Sequence, residues 1–168
     1  MHRSLPASLT AATAAAVALL GTVLAPAGAA QAAVPDSGSF SARNVFTDRD
    51  VCAPEGFAVD VVETETDRWK VYFDADGGFA RALVHIDYAT VATANGRTIT
   101  ERDRWQDFYY PDGSYRKAGL TVHIQGPGGG LVQRDAGQIG FNPDGSAAYL
   151  RGPHPQFEGQ TFCFALVP

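Results

Sequence analysis

The chain has 168 residues, of which 45% are hydrophobic and 18% are charged, and its formal net charge at pH 7 is −5. This length is enough for one domain with a hydrophobic core, but it is short for two. The acidic balance disfavours nucleic acid and anionic membranes as partners, because both select for clustered Lys and Arg.

Residues 1–33 have the three parts of a secretory signal. Arg3 belongs to a cationic start, an apolar Ala/Val/Leu run extends through Leu24, and small residues surround Gln31. The apolar run is shorter than a bilayer-spanning helix and ends in a cleavage-like site, which favours a cleaved signal over a membrane anchor. We therefore predict a secreted protein of 135 residues without membrane attachment, whose formal net charge changes from −5 to −6 when Arg3 is removed.

The exported part is predicted to be a single β-domain with a flexible segment before it. Residues 34–50 contain Ser, Asp and Gly with scattered apolar residues, and we interpret them as a flexible N-terminal lead-in. From Phe57 onward, apolar and polar residues alternate in runs that are separated by turn sequences such as Asn95-Gly96. We therefore expect residues 51–168 to form one domain of antiparallel strands without a long helix.

Eight strands are predicted in chain order. They are Phe57–Thr64, Trp69–Asp74, Phe79–Ala94, Arg97–Tyr110, Tyr115–Gln125, Leu131–Asn142, Ala147–Gly152 and Gln160–Leu166. The turns between successive runs are short enough to join antiparallel neighbours. Eight such strands predict an up-and-down β-barrel, which has no exposed edge strand, and a β-sandwich with Greek-key connections is the alternative.

Cys52 and Cys163 are predicted to form one disulfide. They are the two cysteines of an exported chain, and an oxidising compartment lets such a bond persist. The bond would fasten the last predicted strand to the entrance of the first, which supports a closed barrel. A catalytic thiol would need a cysteine outside a disulfide, so a cysteine nucleophile or a metal-binding pair is disfavoured.

Four short motifs stand out along the exported chain. They are Cys52 before Gly56-Phe57, the run Arg134–Phe141 before Asp144-Gly145, the tripeptide Gly152-Pro153-His154, and Phe162–Leu166. Together they resemble a group of small exported actinobacterial proteins of unknown function, and this resemblance implies no catalytic residue. The predicted architecture is similar to the eight-stranded barrels of the lipocalin and allene oxide cyclase type, which implies a fold but not a function.

Three histidines remain after the predicted cleavage, namely His85, His123 and His154. They lie on three different elements without an HExxH or His-x-His pattern, so the sequence indicates no metal and no other cofactor. His85 and His123 alternate with aliphatic residues on their strands, which places both on one face of the sheet. His154 stands between two prolines, which would present it rigidly in a loop near a barrel mouth.

Two groups of charged residues are further candidates. Arg134 and Asp135 are neighbours on a predicted strand, so one of them points inward, where it could form a structural ion pair or fix the polar end of a ligand. Glu101, Asp103 and Asp107 share one face by the same alternation. They are candidate general acids, but no paired partner is evident, and a solvated acidic face is expected.

Two functional hypotheses follow. The first is an exported β-barrel that binds a small apolar molecule or a partner without turnover. The second is a barrel-type cyclase or isomerase that uses histidine and aspartate as acid and base, which requires at least two of these side chains to converge in one pocket. The candidate ligand site comprises His85, His123, Arg134, Asp135 and His154.

Overall fold

A computed structural model describes residues 34–158 and 162–168, so the predicted secretory signal lies outside the described residues. Seven antiparallel strands form one sheet in sequential order. They are β1 (Asp36–Asp48), β2 (Val59–Phe73), β3 (Phe79–Ala94), β4 (Arg97–Tyr109), β5 (Tyr115–Gln125), β6 (Leu131–Phe141) and β7 (Ala147–Arg151). Three short 3₁₀ helices cover Ala53–Glu55, Pro155–Glu158 and Cys163–Leu166. In the described part of the chain, no helix has the length and apolar character needed to cross a membrane.

The predicted all-β antiparallel meander is confirmed, but the number of strands is not. The runs predicted as two strands before Asp74 form the single strand β2, because its polar middle section pairs with β1 on one side and β3 on the other. The predicted eighth strand is wrong. Cys163–Leu166 is a 3₁₀ helix, and Gln160 and Thr161 lie outside the described residues. Strands β1 and β7 are the edges of the sheet, which is not closed into a barrel.

Strand β1 occupies the segment where the sequence predicts a flexible lead-in. Asp36–Asp48 pairs with β2 along its whole length. An edge strand with solvent on both sides needs few apolar residues, which is why its sequence lacks a strand-like pattern. Side-chain hydrogen bonds add to the pairing, from Asn44 to Glu63 at 2.8 Å and from Thr47 to Asp60 at 2.7 Å.

The predicted disulfide between Cys52 and Cys163 is confirmed, and both cysteines are fully buried. It holds the C-terminal 3₁₀ helix against one end of the sheet, where Leu166 is also fully buried. The Asn95 side chain in the β3–β4 turn donates a hydrogen bond to the Leu166 carbonyl at 3.1 Å. This end contains the hydrophobic core, which is formed by Cys52, Val59, Val61, Ala92, Ala94, Ile99, Val122, Ile124, Cys163, Ala165 and Leu166.

The strand register sorts the side chains into two faces. Val61, Ala92 and Ile99 are neighbours across β2, β3 and β4, and all three are buried. We call the face that carries them the covered face and the opposite one the exposed face. Burial continues along the covered face beyond the core, because Ile139 is 1% exposed and Asp135 is 0% exposed. Within the described residues all seven strands belong to this one sheet.

Two glycines allow neighbouring backbones to approach closely. Gly119 on β5 and Gly137 on β6 are paired neighbours, and their φ angles are 137° and 138°. A Cβ atom on Gly119 would lie 2.6 Å from the Arg104 carbonyl oxygen, and one on Gly137 would overlap the Arg151 carbonyl oxygen. Glycine at both positions therefore lets the backbones approach closely and the strands bend.

Candidate binding site

Three zones follow one another along the covered face, starting from the disulfide. The first is the apolar core. The second, which we call the acidic zone, consists of Glu63, Glu65, Asp67, Glu101, Asp103, Asp107 and Asp135. The third, which we call the aromatic zone, consists of Trp69, Trp105, Tyr109, Tyr115 and Phe141. The covered face is thus apolar near the disulfide, then acidic, then aromatic, and the last two zones overlap where Trp105 lies between Asp103 and Asp107 on β4.

Glu101 and Asp103 form a coupled carboxyl pair on β4. Burial, together with the negative charge of Asp103, raises the pKa of Glu101 to about 8. Burial also raises the pKa of Asp103 to about 6, although hydrogen bonds from Glu101 and from the His123 backbone oppose this change. The charge of the fully buried Asp135 raises the pKa of both groups. Glu101 is therefore mostly protonated at neutral pH and can donate a hydrogen bond to Asp103.

The acidic residues of β2 have two different environments. Glu63 accepts hydrogen bonds of 2.8 Å from the Asn44 amide and of 2.8 Å from the Tyr88 hydroxyl. Glu65 and Asp67 are half-buried, and burial raises the pKa of both carboxyls. The negative charge of Asp67 raises the pKa of Glu65 further. Glu65 and Asp67 are thus desolvated carboxyls on the same face of one strand.

Lys117 supplies positive charge to this zone. Its Nζ atom lies 3.8 Å from the Asp107 carboxylate and 4.4 Å from the centre of the Trp105 ring. The same charge lowers the pKa of Glu65 and Asp67, which partly opposes the effect of burial. The ammonium group of Lys117 thus acts on three carboxyl groups of the acidic zone, those of Asp107, Glu65 and Asp67.

The aromatic zone consists largely of rings that keep part of their surface accessible. Tyr115 stacks on Phe141 with ring centres 4.3 Å apart and on Tyr109 at 5.6 Å. The two tryptophans of the protein, Trp69 and Trp105, both lie on this face and are half-buried. Their fluorescence therefore reports on the covered face.

The five predicted site residues do not form one site. His85, His123 and Arg134 lie on the exposed face, where His123 and Arg134 are paired neighbours. Asp135 lies on the covered face, so Arg134 and Asp135 point to opposite sides as alternation predicts. His154 is buried in the loop after β7, with its Nε2 atom 3.2 Å from the Arg151 carbonyl oxygen.

The acidic zone was only partly predictable from the sequence. Glu101, Asp103 and Asp107 do share one face, but the expectation of a solvated face is wrong, because Asp103 and Asp107 are buried. The contribution of β2 was missed. The signal was present in the sequence as alternation. Every second residue from Val61 to Trp69 lies on the same face of a strand, and the three residues between these two are Glu63, Glu65 and Asp67.

Metal-ligand geometry among the described residues occurs at Cys52, Glu55 and Cys163. The two sulfur atoms of this group are bonded to each other, so neither is a thiolate that could bind a metal. The group is therefore explained by the disulfide.

No family model, no curated protein and no solved structure matches this chain. The resemblance to small exported actinobacterial proteins and to lipocalin-type barrels stays a prediction. Functional inference therefore depends on the geometry and electrostatics of the two faces of the sheet.

Proposed function

We propose that this is an exported binding protein whose covered face holds a small molecule with an apolar or aromatic body and a cationic group. The observation that carries the proposal is the excess of carboxyl groups over ammonium groups on a face that also carries both tryptophans. The ligand would lie in the aromatic zone with its charged group in the acidic zone.

The aromatic zone supports the apolar part of this ligand. Trp69, Trp105 and Tyr109 are partly exposed, and aromatic side chains provide large contact areas and ring-stacking geometry. The C-terminal 3₁₀ helix packs on the opposite end of the covered face, where the apolar core lies. A molecule of small size would therefore meet rings at the end of the sheet that this helix does not cover.

The acidic zone supports the cationic part. Desolvated carboxyl groups either take up protons or pair with a positive charge, because an isolated buried charge is unfavourable. Burial raises the pKa of Glu65 and of Asp67, which reflects the cost of removing their negative charges from water. An ammonium group beside them would lower both pKa values and could also contact the face of Trp105.

A lipocalin-like mode of binding is part of this proposal. The sheet would surround the ligand on its covered face, as small antiparallel barrels do. The apolar ligand expected from the sequence is thereby refined to an amphipathic one, because the covered face combines apolar, aromatic and acidic surfaces.

A second candidate is the proton-transfer enzyme, a cyclase or isomerase. The specific observation that favours it is the pair of Glu101 and Asp103, whose pKa values of about 8 and about 6 lie on either side of neutrality. In this version the carboxyl pair, rather than the histidines, exchanges protons with the bound molecule. Conversion of a bound amine, followed by nuclear magnetic resonance, would distinguish this candidate from simple binding.

Native mass spectrometry of the protein from an exporting host tests the proposed function. We expect a native mass above the denatured mass, with the difference corresponding to an amine-bearing small molecule that is released on unfolding. Release of a neutral or anionic molecule in place of an amine would contradict the cationic part of the proposal.

A further inference from the structure

Basic residues are concentrated on the exposed face of the sheet. Within β1–β7 this face carries nine Arg and Lys side chains against two acidic ones, Asp60 and Asp87. The basic residues are Arg43, Arg68, Lys70, Arg81, Arg102, Arg104, Arg116, Arg134 and Arg151. The acidic net charge of the chain therefore conceals a basic surface, because many of the acids face the other way.

Much of this positive charge is not neutralised within the protein. Asp87 pairs with Arg68 at 2.9 Å and with Arg104 at 2.6 Å. Among the described residues, the other seven basic side chains of this face have no ion pair. Three of them lie over aromatic rings at 4.2–5.0 Å, which fixes their guanidinium planes; these pairs are Arg81 on Tyr72, Arg116 on Phe108 and Arg151 on Tyr149.

A row of these residues crosses the strands. Arg43, Thr64, Ala89 and Arg102 are successive neighbours on β1, β2, β3 and β4. At about 4.8 Å per strand, the two arginines are about 14 Å apart at the backbone, with a hydroxyl and a methyl group between them. Arg134 on β6 adds a further positive charge to the same face.

A depression of about 300 Å³ lies beside this row. Its lining comprises Thr64, Thr66, Asp87, Tyr88, Ala89, Arg102, Asp103 and Arg104. Arg104 is paired with Asp87, the Thr64 hydroxyl donates to the Ala89 carbonyl, and the Thr66 hydroxyl is hydrogen-bonded to Ser41. Guanidinium groups bind carboxylates through two parallel hydrogen bonds, and hydroxyls bind other hydroxyls. Arg102 can therefore bind a carboxylate here, and the two threonine hydroxyls can still accept hydrogen bonds from sugar hydroxyls.

We propose that the exposed face binds a linear polysaccharide whose sugar residues carry negative charge, and that the polymer lies across the strands along the row from Arg43 to Arg102. Repeated charges on the polymer would match repeated arginines, and its hydroxyls would meet Thr64 and Thr66. This binding surface is on the opposite side of the sheet from the proposed small-molecule site and does not depend on it.

The composition of the row favours a polysaccharide over other polyanions. Single-stranded nucleic acid is held by aromatic rings on which bases stack, and the row contains none. A membrane surface is bound most firmly when large apolar side chains insert beside the basic ones. The row offers only Ala89, and its exposed apolar neighbours on the same face, Val45 and Val91, are small aliphatic side chains rather than the aromatic and leucine side chains that insert deeply. The hydroxyl and guanidinium groups of the row fit a hydrated, charged sugar chain.

Binding to polygalacturonate, measured by calorimetry, tests the proposal, with fully methyl-esterified polygalacturonate as the uncharged counterpart. We expect binding to the charged polymer alone. The double variant R43Q/R102Q should bind about tenfold more weakly, since it removes both guanidinium groups of the row. The matched control R49Q/R97Q removes the same net charge at exposed positions outside the basic exposed face, and it should change the affinity less than twofold.

Three results would overturn the proposal. One is equal weakening by R43Q/R102Q and R49Q/R97Q, which would show attraction to total charge rather than to the row. Another is binding of the esterified polymer as tightly as the charged one. The third is tighter binding of single-stranded DNA or of phosphatidylglycerol vesicles than of polygalacturonate, which would assign the face to nucleic acid or to a membrane.

Discussion

The backbone N–H of His123 donates a 2.6 Å hydrogen bond to Oδ1 of Asp103. The contact lies where the register between β4 and β5 shifts, so it supplies an acceptor at a point where the ladder of backbone hydrogen bonds is interrupted. A buried carboxyl group of the acidic zone thus stabilises the sheet directly, in addition to any part it has in binding.

Removal of this acceptor should destabilise the protein. We expect Asp103→Ala to lower the free energy of unfolding by about 1–3 kcal/mol, because the buried His123 N–H would lose its partner. Asp103→Asn keeps a carbonyl oxygen as acceptor, so its free energy of unfolding should fall clearly less. Urea unfolding followed by tryptophan fluorescence measures both variants, and equal losses would show that the acceptor oxygen is not what matters.

Glu101 should make stability fall as pH rises. Its pKa is raised from 4.5 to about 8 in the folded protein, so between these values the folded state holds a proton that the unfolded state has released. The stability contributed by this group is complete below pH 4.5 and is lost progressively as the pH rises to about 8, with a slope of at most about 1.4 kcal/mol per pH unit.

Urea unfolding of Glu101→Gln between pH 5 and pH 8 checks this dependence. Glutamine stays neutral as protonated glutamate does, so the variant should show a flatter profile than the unmodified protein. Glu55→Gln, at an exposed position of a 3₁₀ helix, is the control. A profile for Glu101→Gln as steep as that of the control would contradict the assignment.

Reduction of the disulfide should have a large effect. Cys52 and Cys163 are separated by 111 residues, and closure of a loop of this length corresponds to about 4–5 kcal/mol on the chain-entropy model. We expect dithiothreitol to lower the urea midpoint of the protein but not that of C52S/C163S. An unchanged midpoint would mean that the core holds the C-terminal 3₁₀ helix without the bond.

Gly137 should tolerate no side chain. Gly137→Ala would place a Cβ atom on the Arg151 carbonyl oxygen at a φ of 138°, so we expect a loss of at least about 2 kcal/mol from strain and steric overlap. Gly130→Ala is the control, because a Cβ atom there meets nothing within 4 Å. Thermal unfolding of the two variants measures the difference, and similar melting temperatures would refute the close approach of the two backbones.

Local patterns predicted the meander and the disulfide, but not the end of the chain. Phe162–Leu166 alternates like a strand, yet the register leaves it no described strand partner, and Cys163, Ala165 and Leu166 are instead buried as a 3₁₀ helix. Alternation describes which side chains are buried and does not by itself determine the backbone. Strand β1 was missed for the opposite reason, because pairing at an edge does not require an apolar face.

The charge distribution required the register as well as the sequence. Net charge predicts an acidic protein, but β2 places Glu65 and Asp67 on one face and Arg68 and Lys70 on the other. The sequence predicts which residues of one strand share a face. Which faces of neighbouring strands lie on the same side of the sheet depends on the register between the strands. Sequence reasoning therefore selected histidines, while the aligned strands bring together carboxyl groups.

The proposed ligand of the covered face is a cationic molecule with an apolar body. Titration of tryptophan fluorescence with 2-phenylethylamine and with 2-phenylethanol tests this proposal most directly, because the two compounds share one aromatic body and both tryptophans lie on that face. We predict tighter binding of the amine, and loss of this preference in E65Q/D67N with the affinity for the alcohol retained. Equal affinities for amine and alcohol, or an amine preference that persists in E65Q/D67N, would contradict the account.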